Sequence, residues 1–307
     1  MTQNRVLRTP NKCSMIESEV DEILSKVRKK NSKELSYALI KPLTKEYPFC
    51  SNGIYLFSGS MGAGKSYEIM RHILISERLF EEPYYSLIVF CSTSNGLDKT
   101  VQTFLPKIKT PIAFVPDTSL LSFLHQHIKV KKKYYALIQF LNHNLKKPSE
   151  EMQRIITKHN LQKKEQILKY IAEKILKYNQ SRYPANLLLI LDDFASNPLI
   201  QRKESELCRL LTKTRHYNIT CIIAVQTIKF IIKNIKRMLT DCILWKGCSY
   251  EDFHNFMRET SHSFNEDDIW EKYHQLKSIH SHLELHFIAN EYSFILEDED
   301  KNNVDEF

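Results

Sequence analysis

The sequence predicts an α/β fold in which a central, mostly parallel sheet is flanked by helices. Two observations lead to this prediction. Short, uniformly apolar runs of strand length recur along the chain, and segments with helical periodicity alternate with them. A run such as Leu187–Leu191 is typical of a strand buried on both faces, as in a parallel sheet. The chain has 307 residues, 42% of them hydrophobic, which is enough to fill a sizeable core.

The first of these runs leads into a glycine-rich turn with the spacing G-x-x-x-x-G-K-S, and a helical pattern follows. Strand, loop and helix in this order are typical of a P-loop. We expect Gly59, Gly62 and Gly64 to take positive φ angles, so that backbone N–H groups surround phosphates. Lys65 would neutralise the β- and γ-phosphates, and the Ser66 hydroxyl would bind Mg²⁺. The predicted nucleotide-binding residues are Gly59, Ser60, Met61, Gly62, Ala63, Gly64, Lys65, Ser66 and Tyr67.

Two carboxylates follow the run Leu187–Leu191 directly. Ligands of open α/β sheets lie at the carboxyl ends of the strands, so we expect Asp192 and Asp193 to face the P-loop. Asp192 is predicted to hold the Mg²⁺ shell, and Asp193 to orient or deprotonate the attacking water. Together with the P-loop, this pair predicts hydrolysis of a nucleoside triphosphate.

The next predicted strand runs from Ile219 and ends on the amide Gln226. Gln226 is expected to reach the γ-phosphate or its water, and the alternative is that it merely caps the strand. Arg215 precedes this strand and is predicted to act as an arginine finger on a neighbouring subunit's phosphate, or else to be a solvated arginine at a helix end. Arg209 is the weaker candidate for the same role.

Further elements complete the predicted sheet and its covering helices. Strands are predicted near residues 86–91, 112–115 and 241–247, and a terminal hairpin at 284–289 and 292–296. The spacing of apolar residues predicts one helix from Ile228 to Leu239 and another from about Ser249 to Glu259. His280, His282 and His286 are a weak indication of a metal site, because they have no cysteine or carboxylate partner at ligand spacing.

The chain divides into a core with additions. Residues 1–50 are predicted to be a helical lead-in, 51–296 the P-loop core, 120–182 a helical insertion within it, and 297–307 an acidic tail. The insertion is basic, since residues 129–182 contain 14 basic and 4 acidic side chains. Such a face attracts polyanions, although a solvated helical surface is the alternative explanation.

Composition restricts the compartment. The chain has 44 Lys and Arg against 36 Asp and Glu, and 7 cysteines without a C-x-x-C pair. The odd cysteine count predicts reduced thiols in a cytosolic or nuclear protein. No stretch reaches the length that a bilayer span needs, so a soluble protein without a transmembrane segment is expected. The sequence also lacks the N-K-x-D loop of signalling GTPases and a recognisable acceptor site of a metabolic kinase.

Four features in chain order carry a family resemblance: the loop Gly59–Ser66, the run Leu187–Asp193, the segment Thr214–Thr220 with Arg215, and the strand that ends on Gln226. Together they resemble the FtsK/HerA superfamily of P-loop motors. Within that superfamily the Asp-Asp ending is similar to the poxvirus-type genome-packaging ATPases of large DNA viruses and virophages. The resemblance covers about residues 50–260.

This resemblance implies a RecA-like sheet and a homo-oligomeric ring, a pentamer or hexamer, with double-stranded DNA at its centre. It implies that ATP and Mg²⁺ drive sequence-independent DNA translocation into a preformed capsid, with the capsid vertex or other virion proteins as partners. Lys65, Ser66, Asp192, Asp193 and Gln226 would act in cis and Arg215 in trans. The expected location is the virus factory in the host cytoplasm, and the virion itself. The alternatives are a nucleotide-gated assembly or scaffold protein, or another DNA pump of the superfamily.

Overall fold

The computed structural model describes most of the predicted core. The described residues are 41–80, 84–92, 99–144, 150–162, 166–167, 170, 186–194, 197–202, 205–260 and 262–296. The helix predicted in the lead-in and the acidic tail 297–307 lie outside these residues. Two compact units divide the chain, one comprising 37–124 and 185–307, the other 1–36 and 125–184.

Strands and helices alternate along the described residues. The strands are β1 (Lys41–Pro42), β2 (Cys50–Ser51), β3 (Ile54–Ser58), β4 (Leu87–Ser92), β5 (Ile112–Phe114), β6 (Leu187–Asp192), β7 (Ile219–Val225), β8 (Asp241–Trp245), β9 (His282–His286) and β10 (Glu291–Ile295). The helices are α1 (Lys65–Arg78), α2 (Lys99–Phe104), α3 (Asp117–Asn144), α4 (Glu150–Lys158), α5 (Pro198–Gln201), α6 (Glu206–Leu211), α7 (Thr214–Tyr217), α8 (Lys233–Lys236), α9 (Tyr250–Glu259) and α10 (Glu266–Tyr273).

An eight-stranded sheet forms the centre of the first unit. Its strand order is β10-β9-β8-β3-β7-β6-β4-β5. Every pair from β8 to β5 is parallel, while β9 and β10 form an antiparallel hairpin at one edge. The predicted α/β fold with a mostly parallel sheet is therefore confirmed. Strand β7 lies between the P-loop strand β3 and the aspartate-bearing strand β6. Because the three strands are parallel, their carboxyl ends lie next to one another at the same end of the sheet.

Both faces of the sheet are covered, which explains why its strands read as continuous apolar runs. Successive side chains of a strand point to opposite faces. In β6, Leu187, Leu189 and Leu191 pack into one buried cluster, whereas Leu188 and Ile190 pack into the other. The second cluster contains the apolar face of α1 and so fixes the P-loop helix against the sheet.

The helix predicted from Ile228 to Leu239 is wrong. Residues Ile228–Phe230 form a 3₁₀ turn and Lys233–Lys236 a single α-helical turn, with extended backbone at Ile231 and Ile232 between them. The side chains of Ile228, Ile231 and Ile235 are nevertheless all buried. The same apolar spacing is thus satisfied by two short turns, and β-branched residues gain little from a continuous helix.

The second unit is helical in its described part. It contains most of α3 and all of α4. After the end of α4, the Tyr170 hydroxyl lies 2.8 Å from His159 Nε2. The role of residues 120–182 as an insertion stays a prediction. Among the residues that the structure describes, no helix is both long and apolar enough to cross a membrane.

A buried charge network joins the P-loop helix to the terminal hairpin. On β8, Asp241 Oδ1 lies 2.9 Å from His286 Nδ1. The other imidazole nitrogen of His286 lies 3.5 Å from Glu284 Oε2, and Glu284 Oε1 lies 3.9 Å from the Arg71 guanidinium of α1. Arg71 in turn pairs with Glu68 at 2.7 Å. These contacts connect the edge hairpin electrostatically to the helix that begins at the P-loop.

His286 gives this network a testable pH dependence. Burial alone would lower its pKa, but the hydrogen bonds and charges of Asp241 and Glu284 outweigh burial and raise the pKa from 6.5 to about 9. Because the folded pKa is raised, the stabilisation is complete below 6.5 and is lost as the pH rises through about 9. We expect the stability cost of His286→Gln, measured by urea denaturation, to fall by about 2–3 kcal/mol from about pH 6 to about pH 9.

The exposed His274 provides the matched control. His274→Gln should cost little stability at any pH in the same range. A cost of His286→Gln that stays constant with pH would contradict the ion pairing.

Candidate functional site

The loop between β3 and α1 has the backbone of a phosphate-binding turn. Gly62 and Gly64 take positive φ angles of 78° and 108°, and Gly64 is the residue before the first helical turn of α1. The prediction of a positive φ is wrong for Gly59, which is needed for space instead. A Cβ atom there would lie 2.7 Å from Trp245 Cβ, so only glycine lets the loop pack this closely against the end of β8.

Lys65 holds this loop from the inside. Its Nζ donates to Gly59 O at 2.6 Å and to Ser60 O at 2.9 Å. Partial burial lowers the pKa of Lys65, and the charges of Asp192 and Asp193 oppose that shift. The ammonium therefore lies near both carboxylates, in a position where phosphate oxygens can replace the loop carbonyls as its acceptors.

The two aspartates lie at the end of β6 but differ in backbone conformation. Asp192 is the last residue of the strand, and Asp193 follows it with a φ of 56° in the left-handed region. Aspartate tolerates this region better than most residues, and the turn changes the direction of its side chain from that of the strand. Gln226, just past β7, approaches Asp193 with Nε2 3.4 Å from Oδ1. The Gln226 amide and the Asp193 carboxylate are therefore neighbours in the site.

One cleft of about 240 Å³ contains most of the predicted site. It is lined by Met61, Gly62, Gly64, Lys65, Ser66, Tyr67, Thr100, Asp192, Asp193 and Gln226. The structure thus brings together the five side chains predicted to act in cis, and their chemical roles stay predictions. Ala63 belongs to the same loop without lining the cleft, as do Gly59 and Ser60.

The oxygen donors in the cleft fit Mg²⁺. Ser66 and Asp192 both line the cleft, and Mg²⁺ is usually held by one or two such oxygen-bearing side chains together with water and substrate phosphates. No group of three or more His, Cys, Asp or Glu side chains suited to a metal occurs among the described residues. His282 and His286 instead contribute to ion pairs with Glu284.

Arg215 is not part of this cleft. It lies on α7, before the amino end of β7, whereas Gln226 follows the carboxyl end of the same strand. Arg215 lines a separate groove with Arg237 and Leu239, at the end of the sheet where the parallel strands begin. An arginine in this position does not reach the nucleotide cleft of its own chain. Arg209 on α6 is likewise absent from the residues that line the cleft.

Three residues near the P-loop were not predicted from the sequence. Thr100 of α2 lines the cleft, Trp245 packs against Gly59, and His280 Nδ1 lies 3.3 Å from Ala63 O. A topological signal existed for the first two, because each lies at or beyond the carboxyl end of a parallel strand, where ligands bind. His280 precedes an antiparallel strand and carried no comparable signal.

The fold and the cleft define the protein as a P-loop NTPase. The family model for the Poxvirus A32 protein matches residues 117–302, a stretch that includes both aspartates and Gln226. The chain therefore belongs to the poxvirus A32 protein family. This membership confirms the resemblance to poxvirus-type packaging ATPases that the sequence motifs predicted.

Solved structures with a similar fold include viral and bacterial proteins. The genome packaging NTPase B204 from Sulfolobus turreted icosahedral virus 2 with bound AMP is 13% identical, with 79% of this chain and 96% of that chain covered and a TM-score of 0.46. The N-terminal domain of zonular occludens toxin from Neisseria meningitidis is 12% identical, with coverages of 82% and 98% and a TM-score of 0.34. No curated protein matches the chain.

Proposed function

We propose that this protein is a viral genome-packaging ATPase, which hydrolyses ATP with Mg²⁺ and uses the energy to move double-stranded DNA into a preformed capsid. The observation that carries the proposal is the meeting of Lys65, Asp192, Asp193 and Gln226 in one cleft of a chain from the poxvirus A32 family. A pocket for nucleotide binding alone has no need of a carboxylate and an amide beside the phosphate end.

The residues of the cleft divide the work of hydrolysis among them. Lys65 would leave the loop carbonyls and neutralise the β- and γ-phosphates. Ser66 and Asp192 would hold Mg²⁺, which neutralises charge that develops on the phosphates. Asp193 would orient the attacking water or accept its proton, and Gln226, 3.4 Å from Asp193, would report the state of the γ-phosphate to β7.

Double-stranded DNA is the proposed cargo, bound without sequence preference. The chain carries a formal net charge of +8, and the stretch 129–182 alone has ten more basic than acidic residues. Lysine-rich stretches of this kind attract the phosphate backbone rather than read bases. We further propose a homo-oligomeric ring that contacts the capsid vertex and acts in the virus factory of the host cytoplasm.

Arg215 is the proposed trans-acting residue of this ring, and a mixing experiment tests it. Arg215→Ala and Lys65→Ala should each abolish ATP hydrolysis. Mixed in equal amounts, they should recover activity, because about a quarter of randomly formed interfaces combine an intact Lys65 with an intact Arg215. Arg209→Ala is the control and should stay active. Absence of recovered activity at every mixing ratio would argue against a trans role.

Packaging itself is tested in a virus that carries Asp193→Asn. We expect capsids to form and to remain without DNA, as measured by nuclease-protected DNA per particle. Asp267→Asn, at an exposed position of α10, should package normally. If ATP binding only gates assembly, Asp193→Asn particles should contain normal amounts of DNA, whereas Lys65→Ala should prevent capsids from forming.

A further inference from the structure

A segment from a distant part of the chain contacts the phosphate loop from behind. His280, between α10 and β9, lies with Nδ1 3.3 Å from Ala63 O, a contact between residues 217 positions apart. Lys246 Nζ donates to Lys277 O at 2.8 Å and ties this segment to the end of β8. A Cβ atom at Gly64 would lie 3.6 Å from Trp245 Nε1 and 3.8 Å from His280 Nδ1. The rings of Trp245 and His280 therefore pack against Gly64 on the side to which its Cβ atom would point.

Peptide geometry gives the contact with Ala63 a consequence inside the cleft. The carbonyl of Ala63 and the N–H of Gly64 belong to one planar trans peptide group, so they point in opposite directions. A hydrogen bond that holds the carbonyl on the outer side directs the N–H towards the inner side. Gly64 lines the cleft, and its N–H is one of the donors that a P-loop offers to phosphate.

We propose that His280 is a positioning residue for the phosphate loop: its Nδ1–H, donated to Ala63 O, holds the Ala63–Gly64 peptide so that the Gly64 N–H faces the phosphates of a bound nucleotide. The proposal rests on the proposed nucleotide site. It differs from the part that Lys65 plays, because Lys65 must release Gly59 O and Ser60 O when it meets phosphate. The contact of His280 lies outside the cleft and does not compete with the ligand.

The exposure of His280 separates this role from a structural one. Its side chain is exposed and contributes little to the core, and the nearby Ile279 is 54% exposed. Loss of the imidazole should therefore change nucleotide affinity more than it changes folding stability. Gly64 has a φ of 108°, and glycine takes positive and negative φ angles about equally well. The backbone alone therefore does not fix the orientation of the Ala63–Gly64 peptide, and a hydrogen bond from His280 can select it.

Four variants of the full-length protein test the proposal: His280→Ala, His280→Asn, His274→Ala and Lys65→Ala. In asparagine, Nδ2 reaches a position close to that of the imidazole Nδ1 and keeps a donor there. His274 belongs to the same segment, with Nδ1 3.0 Å from Trp270 O and no place in the cleft. The measurements are calorimetric affinity for a non-hydrolysable ATP analogue with Mg²⁺, KM and kcat for ATP, and the thermal midpoint of the protein without nucleotide.

We expect His280→Ala to weaken analogue binding about threefold to tenfold, because the Ala63–Gly64 peptide is no longer held in the orientation that phosphate needs, and to raise KM with little change in kcat. His280→Asn should restore most of the affinity, His274→Ala should bind like the wild type, and the thermal midpoint should stay unchanged in all three. Wild-type affinity in His280→Ala, or no restoration in His280→Asn, would overturn the positioning role. Equal binding by the wild type and Lys65→Ala would instead overturn the nucleotide site itself, and the inference with it.

Discussion

Replacing Lys65 by alanine is expected to weaken binding of ATP about 10- to 100-fold and to abolish its hydrolysis. The ammonium is partly buried beside two carboxylates, so its removal leaves those negative charges without their cation in the cleft that must accept a triphosphate. Binding is measured by calorimetry with a non-hydrolysable analogue and Mg²⁺, and turnover by phosphate release.

Lys213→Ala is the matched control for this prediction. Lys213 is exposed and lies just before α7, at the end of the sheet where β7 begins, whereas the cleft lies where the strands end. The control removes the same charge from the chain and should leave both affinity and turnover unchanged. Equal losses in the two variants would mean that net charge, and not the phosphate site, governs nucleotide binding.

The second large effect is expected from Asp193→Asn. Asparagine also tolerates the left-handed φ of 56° at this position, so the variant should keep the backbone and lose only the negative charge. A neutral amide cannot accept a proton from water. We expect hydrolysis to fall by about 10²- to 10⁴-fold, while affinity for the ATP analogue stays within about threefold of the wild type.

Asp267→Asn, at an exposed position outside the cleft, controls for the substitution itself. Parallel loss of analogue binding and hydrolysis in Asp193→Asn would assign Asp193 to binding. Retained hydrolysis in Asp193→Asn would remove it from the reaction, and Asp192 would become the residue to test.

The parts of the site that were predictable depend on short stretches of sequence. The loop from Gly59 to Ser66 and the pair Asp192-Asp193 each combine a buried strand with the residues that follow it, so pattern and position are read together. The carboxyl ends of neighbouring parallel strands lie next to one another at the same end of the sheet. The proximity of Gln226 to Asp193 could thus be predicted from strand order, and the structure has them 3.4 Å apart.

The parts that were missed depend on packing between distant residues. Gly59 is glycine because Trp245 packs against it, and His280 reaches Ala63 across 217 residues of sequence. Neither contact leaves a periodic pattern. The two turns between Ile228 and Leu239 were missed for a related reason, because apolar spacing reports which side chains are buried and not how the backbone buries them.

Steady-state ATP hydrolysis with and without linear double-stranded DNA tests the central claim most directly. The purified protein is expected to hydrolyse ATP with Mg²⁺ and to do so faster when duplex DNA of unrelated sequences is added, with Asp193→Asn inactive in both conditions. Hydrolysis that responds equally to all duplexes and weakens with salt would support backbone-directed binding. Turnover no greater than that of Lys65→Ala, with or without DNA, would contradict a DNA-packaging ATPase.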